Sequence, residues 1–207
     1  MKVLALNGSP HKNGNTFAAL TEAGKVFQNK GIEFEIFQVG KGPTRDCIAC
    51  GGCSEKGCVF GDDDGVNEFI AKARKSDGFI FGTPVYYAHP SGHVLSFLDR
   101  VFYSASNAFA GKVGASFAVA RRAGTCSSFD VMNKYFGISK MIIAGSSYWN
   151  VGFGQADQQF LSDKEGTQTV HNLALNMAYI MRCVEAGKQA GIKPPEFESG
   201  NWFNFIR

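Results

Sequence analysis

Short apolar runs alternate with segments of helical periodicity along most of this chain, and this alternation constrains the fold more than any other feature. Val3 to Leu6, Gly78 to Gly82 and Val113 to Ala120 are short apolar runs typical of buried strands. Between them, apolar side chains recur every three or four positions, as on one face of a helix. Parallel strands need such crossover helices, which cover both faces of the sheet. The sequence therefore predicts an α/β fold with a doubly wound, five-stranded parallel sheet and helices on both faces.

The remaining elements complete this pattern. The other two strands are predicted at Ile32 to Ile36 and Met141 to Ala144, and helices at about 17–27, 66–73, 94–102, 129–136 and 165–190. No internal repeat or linker divides the chain, so residues 1–207 are predicted to form a single domain. Two loops, roughly 40–64 and roughly 145–162, are long for such a fold, and long loops are usually functional. The aromatic tail 191–207 is expected to pack on its own domain or on a second subunit.

Charge and hydropathy exclude two classes of partner. The net charge of +3 among 207 residues comes without a Lys/Arg cluster, which argues against a nucleic-acid-binding protein. No apolar run approaches the roughly 18 residues that span a bilayer, so we expect no membrane segment. The start MKVLALNGSP breaks at Gly8 and is typical of a strand followed by a turn, not of a secretory signal. We therefore expect a cytoplasmic protein with reduced thiols.

The loop after the first strand reads GSPHKNGNT and leads into a helix. In open parallel sheets, ligands bind beyond the carboxyl ends of the strands. Glycines permit a tight turn, Ser, Asn and Thr supply small donors, and a helix N-terminus attracts anions. The spacing is not that of a Walker A loop. The loop is typical of a phosphate site, although Asn15 and Thr16 could also serve as plain helix caps.

Two further loops follow neighbouring strands. TPVYYAHP, after the third strand, places Pro84, Val85, Tyr86 and Tyr87 where backbone amides and flat rings suit a heteroaromatic ring, unless the tyrosines merely pack against the core. RRAGTCS, after the fourth, could supply backbone N–H groups to the other side of such a ring. An arginine there, for which Arg122 is our candidate, could steady a phosphate or a reduced cofactor, or it could be a solvated turn residue.

Four of the six cysteines, Cys47, Cys50, Cys53 and Cys58, lie within twelve positions and have the spacing C-x2-C-x2-C-x4-C. Structural zinc sites usually separate two CxxC pairs by a longer gap. Three cysteines at successive two-residue gaps are closer to an iron–sulfur cluster loop, and the small residues between the cysteines would let backbone amides approach cluster sulfurs. Cys183 is expected in the core, and Cys126 is a weak redox candidate. One of the acidic residues 62–64 is expected to cap the helix that follows, and Asp99 and Arg100 are expected to form an ion pair along a helix.

The segments GSPHKNGNT and TPVYYAHPSGHVLSFLDR, with CxxCxxC between them, resemble the NADPH-dependent FMN reductase family, and within it the iron–sulfur flavoproteins. The resemblance is good over about residues 1–125. It implies a flavodoxin-like fold, noncovalently bound FMN and a homodimer or homotetramer. One departure is His11, where relatives commonly carry Arg, which makes the charge at this position dependent on pH. By this resemblance the phosphate would contact Ser9, His11, Asn13, Asn15 and Thr16, and the ring system would contact Pro84, Val85, Tyr86 and Tyr87, with Gly124 and Thr125 opposite.

The resemblance implies two functions. The first is an FMN-dependent oxidoreductase that takes electrons from NAD(P)H and passes them to a quinone, a flavin or a similar acceptor, with no catalytic side chain because the cofactor carries the chemistry. The alternative is an electron carrier that accepts electrons from ferredoxin through a [4Fe–4S] cluster on the four cysteines. Some relatives keep such cysteines as an ordered flap without a cluster. A flavin-free module with structural zinc is the weakest hypothesis.

Overall fold

The computed structural model describes residues 1–61, 63–201 and 203. Its strands alternate with helices along the chain, as the sequence predicts. The strands are β1 Lys2–Asn7, β2 Glu33–Gln38, β3 Gly78–Tyr86, β4 His89–Pro90, β5 Val113–Ala120, β6 Ile142–Ile143 and β7 Val151–Phe153. The helices are α1 Asn15–Asn29, α2 Val66–Arg74, α3 Gly92–Ala105, α4 Thr125–Ile138 and α5 Lys164–Gln189, with 3₁₀ turns at Ser106–Ala108 and Gln159–Ser162.

The strands are hydrogen-bonded in the order β2-β1-β3-β5-β6, and every pair on this path is parallel. This confirms the doubly wound parallel sheet, but the described residues contain seven strands where five were predicted. The two additional strands are β4, which is antiparallel to β3, and β7, which is parallel to β5. They have two and three residues, which is too few for a period of two to be recognised in the sequence.

The sheet separates two hydrophobic cores. Along β1, Val3 and Ala5 point to the face covered by α1 and α5, whereas Leu4 and Leu6 point to the face covered by α2, α3 and α4. This alternation follows from the pleat, which directs successive side chains to opposite faces. Because both faces are buried, the ends of the strands are fixed by packing on both sides, and loops that follow them start from rigid positions.

Phenylalanine dominates the core between the sheet and helices α2, α3 and α4. The ring of Phe69 on α2 lies 6.0 Å from that of Phe81 on β3 and 5.5 Å from that of Phe97 on α3, in both cases edge to face. Such pairs contribute roughly 0.5–1.5 kcal/mol beyond the burial of their area. Eight of the 19 phenylalanines of the chain are buried in this core, where they join its helices to the sheet.

Three boundaries differ from the predictions. β3 continues through Thr83 to Tyr86 because it pairs with β4 in a hairpin, and α4 begins at Thr125, earlier than its apolar residues indicate. The long loop after β6 contains β7 and the second 3₁₀ turn. In the tail, the ammonium group of Lys140 lies over the ring of Phe197, 4.3 Å from its centroid. Trp202 and residues 204–207 are outside the described part of the chain. Within the described residues, no helix combines the length and the hydropathy needed to cross a bilayer.

Candidate functional site

A cleft of about 260 Å³ opens where the chain leaves β1, β3 and β5, beside the point at which the connections change direction between β1 and β3. Such a switch point is the general ligand site of an open parallel sheet. Four stretches contribute to the cleft. The residues that line it are Ser9, His11, Gly14, Asn15, Thr16, Pro84, Val85, Tyr86, Val119, Ala120, Arg121, Gly154, Gln155 and Asp157.

The loop after β1 is held in a tight turn by its own polar groups. The N–H of Ser9 donates to Oδ1 of Asn7 at 3.2 Å, and the N–H of His11 donates to Oγ of Ser9 at the same distance. Gln38, at the end of β2, donates to the carbonyl oxygen of Ser9 at 2.5 Å and accepts from Asn7 at 2.6 Å. These bonds fix the loop before any ligand arrives. A ligand therefore meets a preorganised loop.

The N-terminus of α1 faces the same cleft without a side-chain cap. Its N-cap residue is Gly14, no side-chain cap is present in the described part of the chain, and its first turn contains no acidic residue. The first-turn N–H groups and the positive end of the helix dipole are thus available to an anion. The residues present fit the phosphate of FMN at this end of the cleft.

The side chain of Asn15 is used within the protein. Its Oδ1 accepts from the N–H of Phe160 at 2.8 Å, and its Nδ2 donates to the carbonyl of Ala156 at 3.0 Å. Asn15 therefore ties the loop after β1 to the segment after β7, and only the backbone N–H of Asn15 remains for a ligand. Asn13 is exposed and does not line the cleft, whereas Ser9 and Thr16 are buried at its base.

The β3–β4 hairpin forms one wall of the cleft through Pro84, Val85 and Tyr86. Tyr87 does not join them. With φ of 52° it occupies the turn of the hairpin together with Ala88, whose φ is 59°, and its side chain is fully exposed. The structure therefore brings three of the four residues predicted for a planar ring to the cleft and leaves Tyr87 at its rim.

The loop after β5 contributes Arg121 to the cleft, whereas the predicted Arg122 is exposed and lies outside the lining. Gly124 caps α4 with φ of 86°, and a Cβ there would lie 2.4 Å from Cα of Ala88. Gly124 thus supports the hairpin from behind, and Thr125 is buried next to it. Neither residue reaches the cleft.

Sequence reasoning missed the contribution of Gly154, Gln155 and Asp157, which lie between β7 and the second 3₁₀ turn. The only available signal was the length of the loop at about 145–162. Its aromatic residues do not cover the cleft: Tyr148 and Trp149 are exposed and are not part of the lining. Asn150 is buried, and its carbonyl accepts from the N–H of Ala118 on β5.

A second cavity of about 480 Å³ adjoins the cleft and shares His11, Gly14 and Asp157 with it. Lys12 and Lys41 line this cavity and are exposed. Among the described residues, neither lysine forms an ion pair with a carboxylate. The cavity thus places two lysines and one carboxylate, that of Asp157, beside the anion-binding end of the cleft, with a net positive charge.

The cysteine segment 47–58 is anchored next to α3: Cys58 belongs to the core on the face covered by α2, α3 and α4, opposite to α1, and contacts Arg100. All four cysteines are free thiols; Cys58 is buried, and Cys50 is exposed. Burial, and to a smaller extent the neighbouring thiols Cys58, Cys50 and Cys47, raise the pKa of Cys53. In the described part of the chain, however, no three His, Cys, Asp or Glu side chains are grouped closely enough to hold a metal ion. The donor set fits an iron–sulfur cluster in number and chemistry, but its present arrangement does not.

Arg100 corrects the expectation of an ion pair with Asp99. Consecutive residues of a helix point in different directions. The guanidinium of Arg100 is buried at 2% exposure, pairs with Asp64, and donates from Nε to Sγ of Cys58 at 3.3 Å. Asp99 instead accepts from the hydroxyl of Tyr135.

Two other expectations from the sequence, a side-chain cap on α2 and a buried Cys183, differ from the structure. Among the described residues no side chain caps α2: its N-cap residue is Gly65, and Asp64 pairs with Arg100. Asp62 lies outside the described residues. Cys183 is exposed, since it follows the buried Met181 by two positions and so falls on the solvent side of α5. Cys126 is also exposed and does not line the cleft.

Comparison with known proteins agrees with the geometry. The family described as NADPH-dependent FMN reductase matches residues 1–156. A protein of Methanocaldococcus jannaschii named iron-sulfur flavoprotein is 30% identical over 198 residues, covering 89% of this chain and all of that protein. Among solved structures, one titled flavone reductase has a TM-score of 0.69 at 17% identity and covers 89% of this chain and 64% of its own. A flavodoxin from the domain Archaea has a TM-score of 0.61 at 12% identity, covering 88% of this chain and 99% of that one. These similarities confirm the flavodoxin-like fold.

Proposed function

This chain belongs to the NADPH-dependent FMN reductase family, and we propose that it passes electrons from a nicotinamide nucleotide through bound FMN to a quinone, a flavin or a similar small acceptor. Membership of the family makes it an FMN-dependent oxidoreductase; the donor and the acceptor are the proposed part. The observation that carries the proposal is the convergence of three strand ends on one cleft with an uncapped helix N-terminus at one side.

The residues of the cleft divide into two roles. The first turn of α1 and the hydroxyl of Ser9 would hold the phosphate, because they offer donors and a positive potential at the base of the loop. Val85 and Tyr86 would bound the planar ring on one side, with Arg121 on the loop opposite. Bound FMN would supply hydride and single-electron chemistry.

The adjoining cavity supports a phosphate-bearing electron donor. Lys12 and Lys41 face it without carboxylate partners, and it is continuous with the cleft through His11. A nicotinamide dinucleotide carries several negative charges, which such a cavity would attract. We therefore propose that the nucleotide part of NAD(P)H lies over this cavity while its nicotinamide reaches the cleft.

The test is anaerobic reduction of the FMN-loaded protein. NADPH or NADH is added without an acceptor, and the visible absorbance of the bound flavin is followed. The proposal predicts that at least one of the two nucleotides reduces the flavin, so that its visible absorbance falls after mixing. An added quinone should reoxidise the flavin and restore the absorbance. A flavin that stays oxidised with both nucleotides would contradict it.

A second candidate function is an electron carrier, and the cysteine segment supports it. Cys47, Cys50, Cys53 and Cys58 are free thiols within twelve positions of the sequence, and a similar protein is named iron-sulfur flavoprotein. We propose in this case that a [4Fe–4S] cluster on Cys47, Cys50, Cys53 and Cys58 accepts electrons from ferredoxin. The carrier is supported over the reductase if anaerobically prepared protein holds iron and sulfide, is reduced by reduced ferredoxin, and does not react with NADPH or NADH.

The remaining expectations stay predictions. A homodimer or homotetramer would be measured by light scattering on the FMN-loaded protein. A structural zinc on the cysteine segment would give one zinc per chain and no iron.

A further inference from the structure

We propose that Tyr87 is a specificity-determining residue: its exposed ring, at the tip of the β3–β4 hairpin, stacks on the electron acceptor and selects planar aromatic molecules such as quinones. The inference rests on the proposed function, because it names the acceptor class of that same cleft. It concerns a residue that the structure leaves at the rim of the cleft, outside the lining.

The turn that carries Tyr87 has an uncommon composition. Tyr86 pairs with His89 in the hairpin, so Tyr87 and Ala88 form a two-residue loop. Both have positive φ, 52° and 59°, as a type I′ turn requires. Such turns are usually built from Asn-Gly or similar pairs, because bulky side chains are strained in the left-handed region. A tyrosine at this position lowers the stability of the turn, so its presence needs a separate explanation.

Contacts within the protein do not explain the ring of Tyr87. The side chain is fully exposed, and within residues 1–61, 63–201 and 203 it takes part in no hydrogen bond, ion pair or ring contact. The ring therefore adds nothing to the packing of this part of the chain, while its backbone conformation is strained. Strained positions of this kind cluster at ligand-binding and active sites.

The strained turn is held in place by its neighbours. The carbonyl of Ala88 accepts from Oγ of Ser127 at 2.6 Å, and Gly124 packs so closely on Ala88 that a Cβ at position 124 would lie 2.4 Å from Cα of Ala88. At the base of the hairpin, the N–H of Ser91 donates to Oγ1 of Thr83 at 3.2 Å. Because these contacts fix both ends of the hairpin, the fold retains a conformation that the sequence of the turn disfavours.

The position of the turn indicates what the ring meets. Pro84, Val85 and Tyr86, which precede it on β3, line the cleft, and Tyr86 is itself exposed. Two consecutive tyrosines thus extend from the wall of the cleft to the solvent, where an acceptor enters. Aromatic side chains stack favourably on planar ring systems. The rim therefore favours a planar aromatic acceptor over a non-planar ion.

Tyr87 takes no part in the transfer of electrons or protons. The quinone takes up two electrons and two protons from reduced FMN, which is thereby oxidised, and becomes a hydroquinone. The contribution of Tyr87 is to bind and orient the ring of the quinone before this step.

The experiment separates binding from electron transfer. Full-length protein is loaded with oxidised FMN and titrated with the naphthoquinone menadione, and the visible absorbance of the flavin gives the Kd. No electrons move in this titration, because both partners are oxidised. In a second measurement the FMN is reduced anaerobically with one equivalent of dithionite, which needs no nicotinamide nucleotide, and its reoxidation by menadione or by ferricyanide is timed. Tm of the apoprotein and the mass of the loaded protein by light scattering complete the set.

Three variants are compared with the wild type. Tyr87→Asn removes the ring and supplies a residue that type I′ turns favour. Tyr87→Phe keeps the ring. Ala88→Gly is the matched control, because it relieves the strain of the same turn at the next position without removing an aromatic group.

Tyr87→Asn should raise the Tm of the apoprotein by roughly 2–4 °C, because the strain is relieved. It should also raise the Kd of menadione by roughly threefold to tenfold, the scale of a lost aromatic pair. Reoxidation should slow by a similar factor with menadione and stay unchanged with ferricyanide. Tyr87→Phe should match the wild type throughout, and Ala88→Gly should raise Tm without changing the Kd of menadione. A residue with a structural role alone would not raise Tm and weaken quinone binding together.

The proposal is overturned if the wild type does not bind menadione, if Tyr87→Asn binds it as tightly as the wild type, or if Ala88→Gly weakens binding equally. A smaller mass of Tyr87→Asn in solution would also overturn it, since the ring would then serve a contact with a second copy of the chain. Reduction of the bound flavin by NADPH or NADH is judged separately. Its failure would contradict the proposed electron donor and leave the dependence of menadione binding on Tyr87 unaffected.

Discussion

Replacing Asn15 with alanine should destabilise the protein and weaken FMN binding together. The side chain of Asn15 joins the loop after β1 to the segment 154–160, part of which lines the cleft. Asn15→Ala removes two hydrogen bonds, each contributing about 1 kcal/mol net, so the loss is about 2 kcal/mol. For a chain of this size that lowers Tm by about 4–8 °C.

The matched control is Asn13→Ala, two positions earlier in the same loop. Asn13 is exposed, and no hydrogen bond of its side chain is seen among the described residues. Its replacement should change Tm by less than about 1 °C, in keeping with surface substitutions. Thermal unfolding of the apoprotein gives the stability term, and quenching of flavin fluorescence gives the Kd of FMN.

If the segment 154–160 forms a wall of the FMN site, Asn15→Ala should raise the Kd of FMN by roughly tenfold, about 1.4 kcal/mol of the lost tether energy. Equal losses of stability in the two variants, or an unchanged Kd in Asn15→Ala, would refute this account of the site.

Three further changes test other parts of the structure. Gly124→Ala should lower the free energy of unfolding by at least about 2 kcal/mol in denaturant unfolding, because φ is 86° and the new Cβ would lie 2.4 Å from Cα of Ala88. The control Gly137→Ala, in the helix that Gly124 caps, meets no atom within 4 Å and should raise the free energy of unfolding by up to about 1 kcal/mol. A Gly124→Ala variant as stable as the wild type would contradict the role of Gly124 in supporting the hairpin. Lys41→Ala should raise the KM for NADPH by roughly threefold to tenfold at unchanged kcat and Lys193→Ala should not, given the cation–phosphate attraction in the cavity; equal KM values would remove the cavity from the nucleotide site. Burial raises the pKa of Glu22, but hydrogen bonds from Lys25 and His171 outweigh this effect, so the pKa in the folded protein lies below the ordinary value of 4.5. The ionised Glu22 therefore stabilises the folded protein above pH 4.5, and this contribution is lost as the pH falls through the pKa of the folded state. Glu22→Gln should therefore flatten the fall of Tm in acid, and an acid limb identical to that of the wild type would contradict the ion pair.

The parallel sheet could be predicted because both of its faces are buried. Strands such as β5 then read as unbroken apolar runs, Val113–Ala120, between helices with a period near 3.6. The order of the strands confirms the prediction, and parallel topology alone places the ends of β1, β3 and β5 at one edge. Residues that follow those strands directly, such as Ser9 and Pro84, were therefore within reach of sequence reasoning.

What could not be predicted depends on partners that are distant in the sequence. Asn15 looks like a helix cap, but its amide is taken by residues more than 140 positions away. Arg100 looks like a helix-surface partner of Asp99, but the orientation of α3 buries it against Cys58 and Asp64. Arg121 and Arg122 are alike in sequence, and only the end of β5 decides which one faces the cleft. Tertiary placement of neighbouring elements, not local pattern, determines these cases.

The most direct test of the central claim, that the cleft binds FMN through the uncapped N-terminus of α1, is to titrate the apoprotein with FMN and with riboflavin and follow flavin fluorescence. The account predicts one FMN per chain and riboflavin binding at least roughly tenfold weaker, since only FMN offers a phosphate to the helix. Equal affinity for the two flavins, or no binding of FMN, would contradict it.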